Sequence, residues 1–215
     1  MKKFVFKTAL KTFFIVVGVL VIGFLVFNLA CPQHMATLFE QAGNYNLAVR
    51  YAALRYSYTD DTNDLARCLE DAILAGDDAL TLEYGDEFLE RDDSAQVMYE
   101  LTAERGTDYL QLFGNAVVRA HYSTGDFVGA LTLAFNINGE TSFAYGNPLM
   151  SLAVAVINRS DVENAPVMLN ALEHIATDDE TEQSYLNDVI SRVGSLVSEN
   201  NNTAVYAAIK LTKDV

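Results

Sequence analysis

The sequence contains no tryptophan, only three prolines and only two cysteines in 215 residues. Because proline inside a helix removes a hydrogen bond and clashes with the preceding turn, a chain with so few prolines can form long helices. Two cysteines allow at most one disulfide, so a hydrophobic core must hold the fold. Period-two runs of valine and isoleucine are missing, and apolar residues recur at spacings of three and four. These features predict an all-α protein.

Motifs that would indicate an enzyme or a cofactor site are also missing. The sequence has no HExxH, paired CxxC, GxSxG, GxGxxG or phosphate-binding glycine loop. Its three histidines, His34, His121 and His174, are too scattered to indicate a ligand set. Pairs of acids lack the spacing of a calcium-binding loop, and their positions before helices favour capping. We therefore predict no enzyme activity, no cofactor and no metal.

Basic residues are scarce and unevenly distributed. The chain has 14 Lys and Arg against 29 Asp and Glu, and four lysines precede the first acid. The ten other basic residues and all the acids follow residue 31, which leaves that part with a net charge of −19. So acidic a domain repels nucleic acid and anionic lipid head groups, which excludes nucleic acid as a partner. Charged partners are expected to be basic proteins, peptides or cations.

One long apolar segment lies near the N-terminus. The run from Phe13 to Phe27 is unbroken, and Lys11 is the only charged residue between Leu10 and Ala30. About 20 apolar residues cross a bilayer as a helix, and basic residues before them favour a cytoplasmic N-terminus. We predict a basic cytoplasmic tail at 1–11, a transmembrane anchor at 12–31 and an acidic extracytoplasmic domain at 32–215. The protein is then a single-pass protein of the cell membrane.

Two alternatives to a retained anchor stay open. A cleaved signal peptide fits the lysine-rich start, although the apolar core is at the upper end of the usual length. Lipidation at Cys31 would need leucine three positions earlier and a small residue two positions earlier, where Asn28 and Leu29 stand. Cys68 lies among apolar residues at helical spacing, so a buried thiol is a simpler interpretation than a disulfide with Cys31.

Three segments share a pattern: a small or turn residue, an apolar residue two positions later and an alanine five positions later. They are Gly43-Tyr45-Ala48, Gly125-Phe127-Ala130 and Ser160-Val162-Ala165. A fourth, looser example surrounds Gly76, where Ala79 comes too early. The small residues allow two antiparallel helices to approach closely. The pattern resembles the inter-helix turn of the tetratricopeptide repeat family.

The resemblance implies a short α-solenoid of antiparallel helix pairs after the anchor. The four turns are 33, 49 and 35 residues apart, against a family period of about 34. The long spacing predicts an inserted helix at about 94–105. A closing helix pair is expected from about 180 to 212.

The resemblance also implies that an extended peptide or a partner helix binds the inner face of the solenoid, which the first helix of each pair supplies. Carried over to this chain, the candidate partner-binding residues are Glu70, Asn115, Arg119, Tyr122, Asn147 and Met150. We expect a membrane-anchored interaction or scaffold module outside the cytoplasm. A structural accessory subunit of a membrane complex is the alternative, and an enzyme without a recognisable motif is the third hypothesis.

Overall fold

The computed structural model describes the backbone of residues 2–138, 147–175 and 177–213. It describes the side chains of residues 12–23, 26–27, 30–137, 147–175 and 177–199. Within these residues the fold is all-α, as predicted, and helices that follow one another in sequence pack in pairs. The helices are α1 (Lys2–Ala30), α2 (Pro32–Gln41), α3 (Tyr45–Thr59), α4 (Thr62–Ala75), α5 (Asp78–Leu89), α6 (Ser94–Arg105), α7 (Tyr109–Ser123), α8 (Phe127–Asn138), α9 (Pro148–Asn158), α10 (Ala165–Glu173) and α11 (Glu180–Lys213).

The chain divides into two compact units, Met1–Ala75 and Gly76–Val215. In the first unit, α3 packs against both α2 and α4. Its buried apolar side chains are those of Met35, Ala36, Ala48, Val49, Ala52, Leu65, Ala66, Cys68, Leu69 and Ala72. In the second unit, α7 is the central helix and packs against α5, α6, α8 and α9, while α11 packs against α9 and α10.

Helix α1 contains most of the predicted anchor, residues 12–31. The side chains of the predicted tail at 1–11 lie outside the described ones, as do those of residues 24, 25, 28 and 29 of the predicted anchor. Among the residues that the structure describes, no helix is both long and apolar enough to cross a membrane. The described side chains of Phe13, Phe14 and Ile15 are 60–66% exposed, so the other helices of the first unit do not cover them. The anchor stays a prediction.

The turns that follow α2, α7 and α9 share one backbone conformation. Gly43, Gly125 and Ser160 have positive φ angles of 69°, 93° and 50°. The next residue in each turn donates its N–H to the carbonyl five residues earlier, which is the hydrogen bond of a Schellman motif. These bonds are Asn44 to Phe39 at 2.8 Å, Asp126 to His121 at 2.9 Å and Asp161 to Val156 at 3.0 Å.

The same polar residues then cap the following segment. The side-chain oxygens of Asn44, Asp126 and Asp161 accept the N–H three residues later, at 3.3, 2.9 and 3.1 Å. These bonds satisfy donors that a helix start leaves without a partner. The alanines of the sequence pattern, Ala48, Ala130 and Ala165, are completely buried. The local turn predicted from the sequence is therefore present three times.

The looser fourth turn, at Gly76, has the same positive φ angle and polar cap, but a threonine takes the place of the buried alanine. Gly76 has a φ of 68°, and the Asp77 side chain accepts the N–H groups of Ala79 and Leu80 at 3.1 Å. Thr81 lies five positions after the glycine, is 2% exposed and donates its N–H to the Asp77 carbonyl at 2.9 Å. Thr81 rather than Ala79 occupies the alanine position, so Ala79 does not come too early. The division between the two units falls at this turn.

Two expectations about helices have opposite outcomes. The helix expected at about 94–105 is α6, which runs from Ser94 to Arg105. The prediction of a closing helix pair is wrong, because α11 is a single helix from Glu180 to Lys213. Its sequence has no proline, and Gly194 is its only glycine. One glycine inside a helix lowers stability without ending the helix.

Ser160 has the left-handed backbone that glycine adopts in the equivalent turns at Gly43 and Gly125. A left-handed conformation costs a residue with a Cβ atom about 1–2 kcal/mol. We expect Ser160→Gly to raise the free energy of unfolding by about 1 kcal/mol, which thermal unfolding will detect as a higher Tm. Ser195→Gly, at an exposed position inside α11, is the control and should lower stability. A lower Tm for both variants would contradict the expectation.

Candidate protein-binding groove

Helix α8 has a buried apolar face and an exposed face that is partly apolar. Its twelve residues include no charged side chain. One face, which includes Phe127, Ala130 and Ala134, is buried in the second unit. On the other face, Val128 is 74% exposed and Phe135 45% exposed. Thr132 and Asn136 are the polar residues of this exposed face, so the described part of the chain leaves a partly apolar face of α8 uncovered.

Helix α10 completes a groove beside this uncovered face. The groove has a volume of about 300 Å³, at the lower end of the range for ligand-binding clefts. Val167 of α10 is 51% exposed and Ala171 only 7% exposed, so α10 supplies both an accessible apolar wall and a buried contact. The lining residues are Leu131, Phe135, Val167, Asn170, Ala171 and His174. We call this surface the α8–α10 groove.

The turns before the two helices determine which side chains reach the groove. After its cap at Asp126, α8 buries Ala130. Helical periodicity then directs Leu131 and Phe135, four residues apart, to a shared face. In α10 the burial of Ala165 and Met168 leaves Val167 and Asn170 facing outward. The groove is therefore a direct consequence of how the two helices are anchored in the core.

One end of the groove is polar. Asn170 and His174 are exposed and one helical turn apart. The Nδ1 atom of His174 lies 2.7 Å from the Asn170 carbonyl oxygen. Glu173, next to His174, is also exposed. An apolar ligand would thus meet hydrogen-bonding groups at this end.

A polar cluster around His121 lies at the start of α8. Its Nδ1 atom is 2.9 Å from Asp126 Oδ2, and its Nε2 atom is 3.0 Å from Asp86 Oδ1. Ionised carboxylates only accept hydrogen bonds, so both bonds form only when both ring nitrogens carry protons. The Gly129 N–H and the His121 ring lower the pKa of Asp126. His121 thus links α5, α7 and the start of α8.

A second polar cluster links the turns after α7 and α9. The Tyr122 hydroxyl donates to Asp161 Oδ2 at 2.7 Å, and the Arg159 guanidinium lies 4.6 Å from the centre of the Tyr122 ring. Burial and the Asp161 carboxylate raise the pKa of Tyr122 above its usual range. The cleft beside these groups has a volume of about 370 Å³. These contacts hold two hairpins together, so we assign the cluster to the scaffold of the groove.

The candidate residues from the sequence have different environments. Glu70 belongs to the first unit, and the other five belong to the second. Arg119 is exposed, and Glu70 and Asn115 are half-buried. Three are buried, namely Tyr122 at 4%, Asn147 at 0% and Met150 at 0% exposure.

Each buried candidate has a structural contact. Tyr122 and Met150 belong to the same core cluster, and Asn147 caps α9 by accepting the Leu149 N–H at 2.9 Å. In this conformation these three residues present almost no surface to a partner. Partner binding by the six residues stays a prediction. The groove instead uses the second helices of the pairs, and the signal in the sequence was the complete lack of charge in α8.

Comparison with protein-family models, curated proteins and solved structures gives no match. Within the described residues, no three His, Cys, Asp or Glu side chains form a group that could hold a metal ion. The α8–α10 groove is an apolar cleft on the exposed surface of the second unit.

Proposed function

We propose that the protein is a membrane-anchored interaction module that binds a protein or peptide in the α8–α10 groove. The observation that carries this proposal is the apolar part of the exposed face of α8, where Val128 is 74% exposed and Phe135, which lines the groove, is 45% exposed. Burying such surface contributes about 25 cal/mol per Å². Contiguous exposed apolar surface is typical of interaction sites.

The repeated turns support a tetratricopeptide-like solenoid as the scaffold of this module. Four turns share a positive-φ residue, a polar cap and a buried small residue, even though their spacing is irregular. Solenoids of paired helices offer extended surfaces for peptides and helices. The exposed apolar side chains of α1 and the lysines before them support a membrane anchor, with the domain outside the cytoplasm.

The ligand that best fits the groove is an amphipathic helix with basic flanks. Leu131 and Phe135 form an apolar wall with helical spacing, and Val167 forms the opposite wall. An apolar stripe at positions i and i+4 of a partner helix matches such a groove. The net charge of −19 after residue 31 favours basic residues around that stripe, because complementary charges speed association and set specificity.

A charge placed in the groove tests the proposal. We expect Phe135→Asp to reduce capture of the specific partner roughly tenfold or more, since a desolvated carboxylate would face apolar surface. Tyr99→Asp is the matched control, because Tyr99 is an aromatic residue of the second unit that is 72% exposed on α6. Capture uses the full chain with an affinity tag after Val215, crosslinked in intact cells and quantified by mass spectrometry.

Two outcomes would contradict this function. Equal capture by Phe135→Asp and wild type would show that the groove is not the binding surface. Partners that survive Phe135→Asp but are lost when α1 is replaced by an unrelated membrane helix would favour the accessory-subunit alternative. Helical circular dichroism of each variant shows whether the fold is retained.

A further inference from the structure

A buried carboxyl group lies in the first unit, whereas the α8–α10 groove belongs to the second unit. Asp71 of α4 is 2% exposed. Its Oδ2 atom has no hydrogen-bond partner among the described residues. A buried carboxylate without a donor is strongly disfavoured, and such a group takes up a proton instead.

The surroundings of Asp71 contain one cation for two carboxyl groups. The Glu40 carboxyl of α2 lies close enough to act on the Asp71 carboxyl and disfavours its charged form. The Oε1 atom of Glu40 accepts from Arg67 Nε at 2.7 Å, and Arg67 Nη2 donates to Thr37 Oγ1 at 2.7 Å. Arg67 thus neutralises the Glu40 carboxylate, and Asp71 can donate a hydrogen bond to that carboxylate only when it carries a proton.

Among the described residues, no cation of α3 or α4 forms an ion pair with Asp71. Glu70, on the same helix, adds a second negative charge that disfavours an Asp71 carboxylate. On α3, the guanidinium of Arg55 is paired with Asp64 at 3.1 Å, Arg50 is exposed, and Tyr51 stacks on Phe39. Burial first, and the Glu40 charge second, raise the pKa of Asp71 to about 7.

We propose that Asp71 and Glu40 form a proton-operated latch between α4 and α2. With a proton on Asp71, the carboxylic acid donates to Glu40 and the two helices stay closed. When that proton leaves to solvent, two carboxylates face each other over a single arginine, and Asp71 Oδ2 still has no donor. The pair then repels, and water must enter between the helices to solvate it. This latch makes the first unit a pH-responsive element.

Cys68 provides a reporter for opening of the latch. It lies three residues before Asp71, and its side chain is completely buried. Labelling by a small disulfide reagent therefore requires α4 to open. The experiment uses the full chain in detergent micelles with Cys31→Ser, so that Cys68 is the only thiol. Labelling rates are measured from pH 5 to pH 8 with Asp71 and with Asp71→Asn.

We expect the ratio of the two labelling rates, Asp71 over Asp71→Asn, to rise roughly tenfold or more between pH 5 and pH 8. The Asp71 charge also raises the pKa of the Cys68 thiol, which by itself would lower this ratio as the pH rises, so a rise in the ratio reports opening of α4. Asp61→Asn, which removes the charge of an exposed carboxyl before α4 and keeps its capping oxygen, is the matched control and should keep the wild-type profile. A ratio that stays constant across this range would overturn the latch.

A second variant keeps the test decisive if Asp71→Asn does not fold. Glu40→Gln removes the facing carboxylate and leaves Asp71 in place. The pH dependence of Cys68 labelling should then weaken, because Asp71 no longer opposes a second negative charge. An unchanged profile in Glu40→Gln would equally overturn the proposal.

Discussion

Asp71→Asn is expected to raise the free energy of unfolding of the first unit by on the order of 4 kcal/mol at pH 8 and to change it little at pH 4. The folded-state pKa of Asp71 is about 7, against an ordinary value of 3.8. Each unit of difference corresponds to about 1.36 kcal/mol. Because Asp71 is 2% exposed, solvent screening reduces this effect little.

The direction of the pH dependence follows from proton binding. The folded state binds the Asp71 proton more tightly than the unfolded state, so raising the pH disfavours folding. The stabilisation that the Asp71 proton gives the folded state is fully present below pH 3.8 and is lost progressively as the pH rises to about 7. Above pH 7 no further stability is lost. Asparagine does not titrate, so the stability of the Asp71→Asn variant does not fall with pH for this reason.

The measurement for this prediction is hydrogen exchange of the α4 amides in the full chain in detergent micelles, at pH values between 4 and 8 and corrected for the intrinsic exchange rate. Protection in wild type should fall with pH relative to Asp71→Asn. The Asp61→Asn control should follow wild type. Parallel profiles for wild type and Asp71→Asn would show that Asp71 ionises without cost and would remove the energetic basis of the latch.

Gly85→Ala is expected to lower the free energy of unfolding of the second unit by about 1–3 kcal/mol. Gly85 is buried in α5, where a Cβ atom would overlap Val117 Cγ2 and lie 3.2 Å from Val117 Cγ1. Val117 is completely buried in α7. A β-branched side chain in a helix has one strongly preferred rotamer, so Val117 cannot turn away freely.

Two further variants separate this contact from the helix propensity of alanine. Gly194→Ala is the control, since nothing lies within 4 Å of a Cβ at that position of α11, and it should raise stability by about 1 kcal/mol. Combining Gly85→Ala with Val117→Ala should cost less than the sum of the single changes, as thermal unfolding of all variants will measure. Additive costs would show that α5 and α7 do not meet at this pair.

The turns could be predicted from the sequence because each depends on a few adjacent residues. Gly43 and Gly125 permit a left-handed backbone, and Asn44 and Asp126 supply caps. These local requirements act in the same way wherever the hairpin lies in the fold. The all-α class follows similarly from apolar spacing along the whole chain.

The packing of the hairpins could not be predicted in the same way. The interpretation of Tyr122 and Met150 as surface residues assumed a regular solenoid. Helix α6 adds another element beside α7, and both residues lie in the core of the second unit. Which face of α8 remains exposed depends on this three-dimensional arrangement. Asp71 is likewise one of 29 acidic residues and becomes distinctive only through its burial.

Photo-crosslinking at two alternative surfaces tests the proposed function most directly. A photoreactive amino acid is placed at Phe135 in the α8–α10 groove or at Arg119, the exposed candidate from the sequence pattern, in the otherwise unchanged full chain in cells. The proposed function predicts a specific protein adduct at Phe135 and none at Arg119. An adduct at Arg119 with none at Phe135 would contradict the groove assignment and would place binding on the first helices of the pairs.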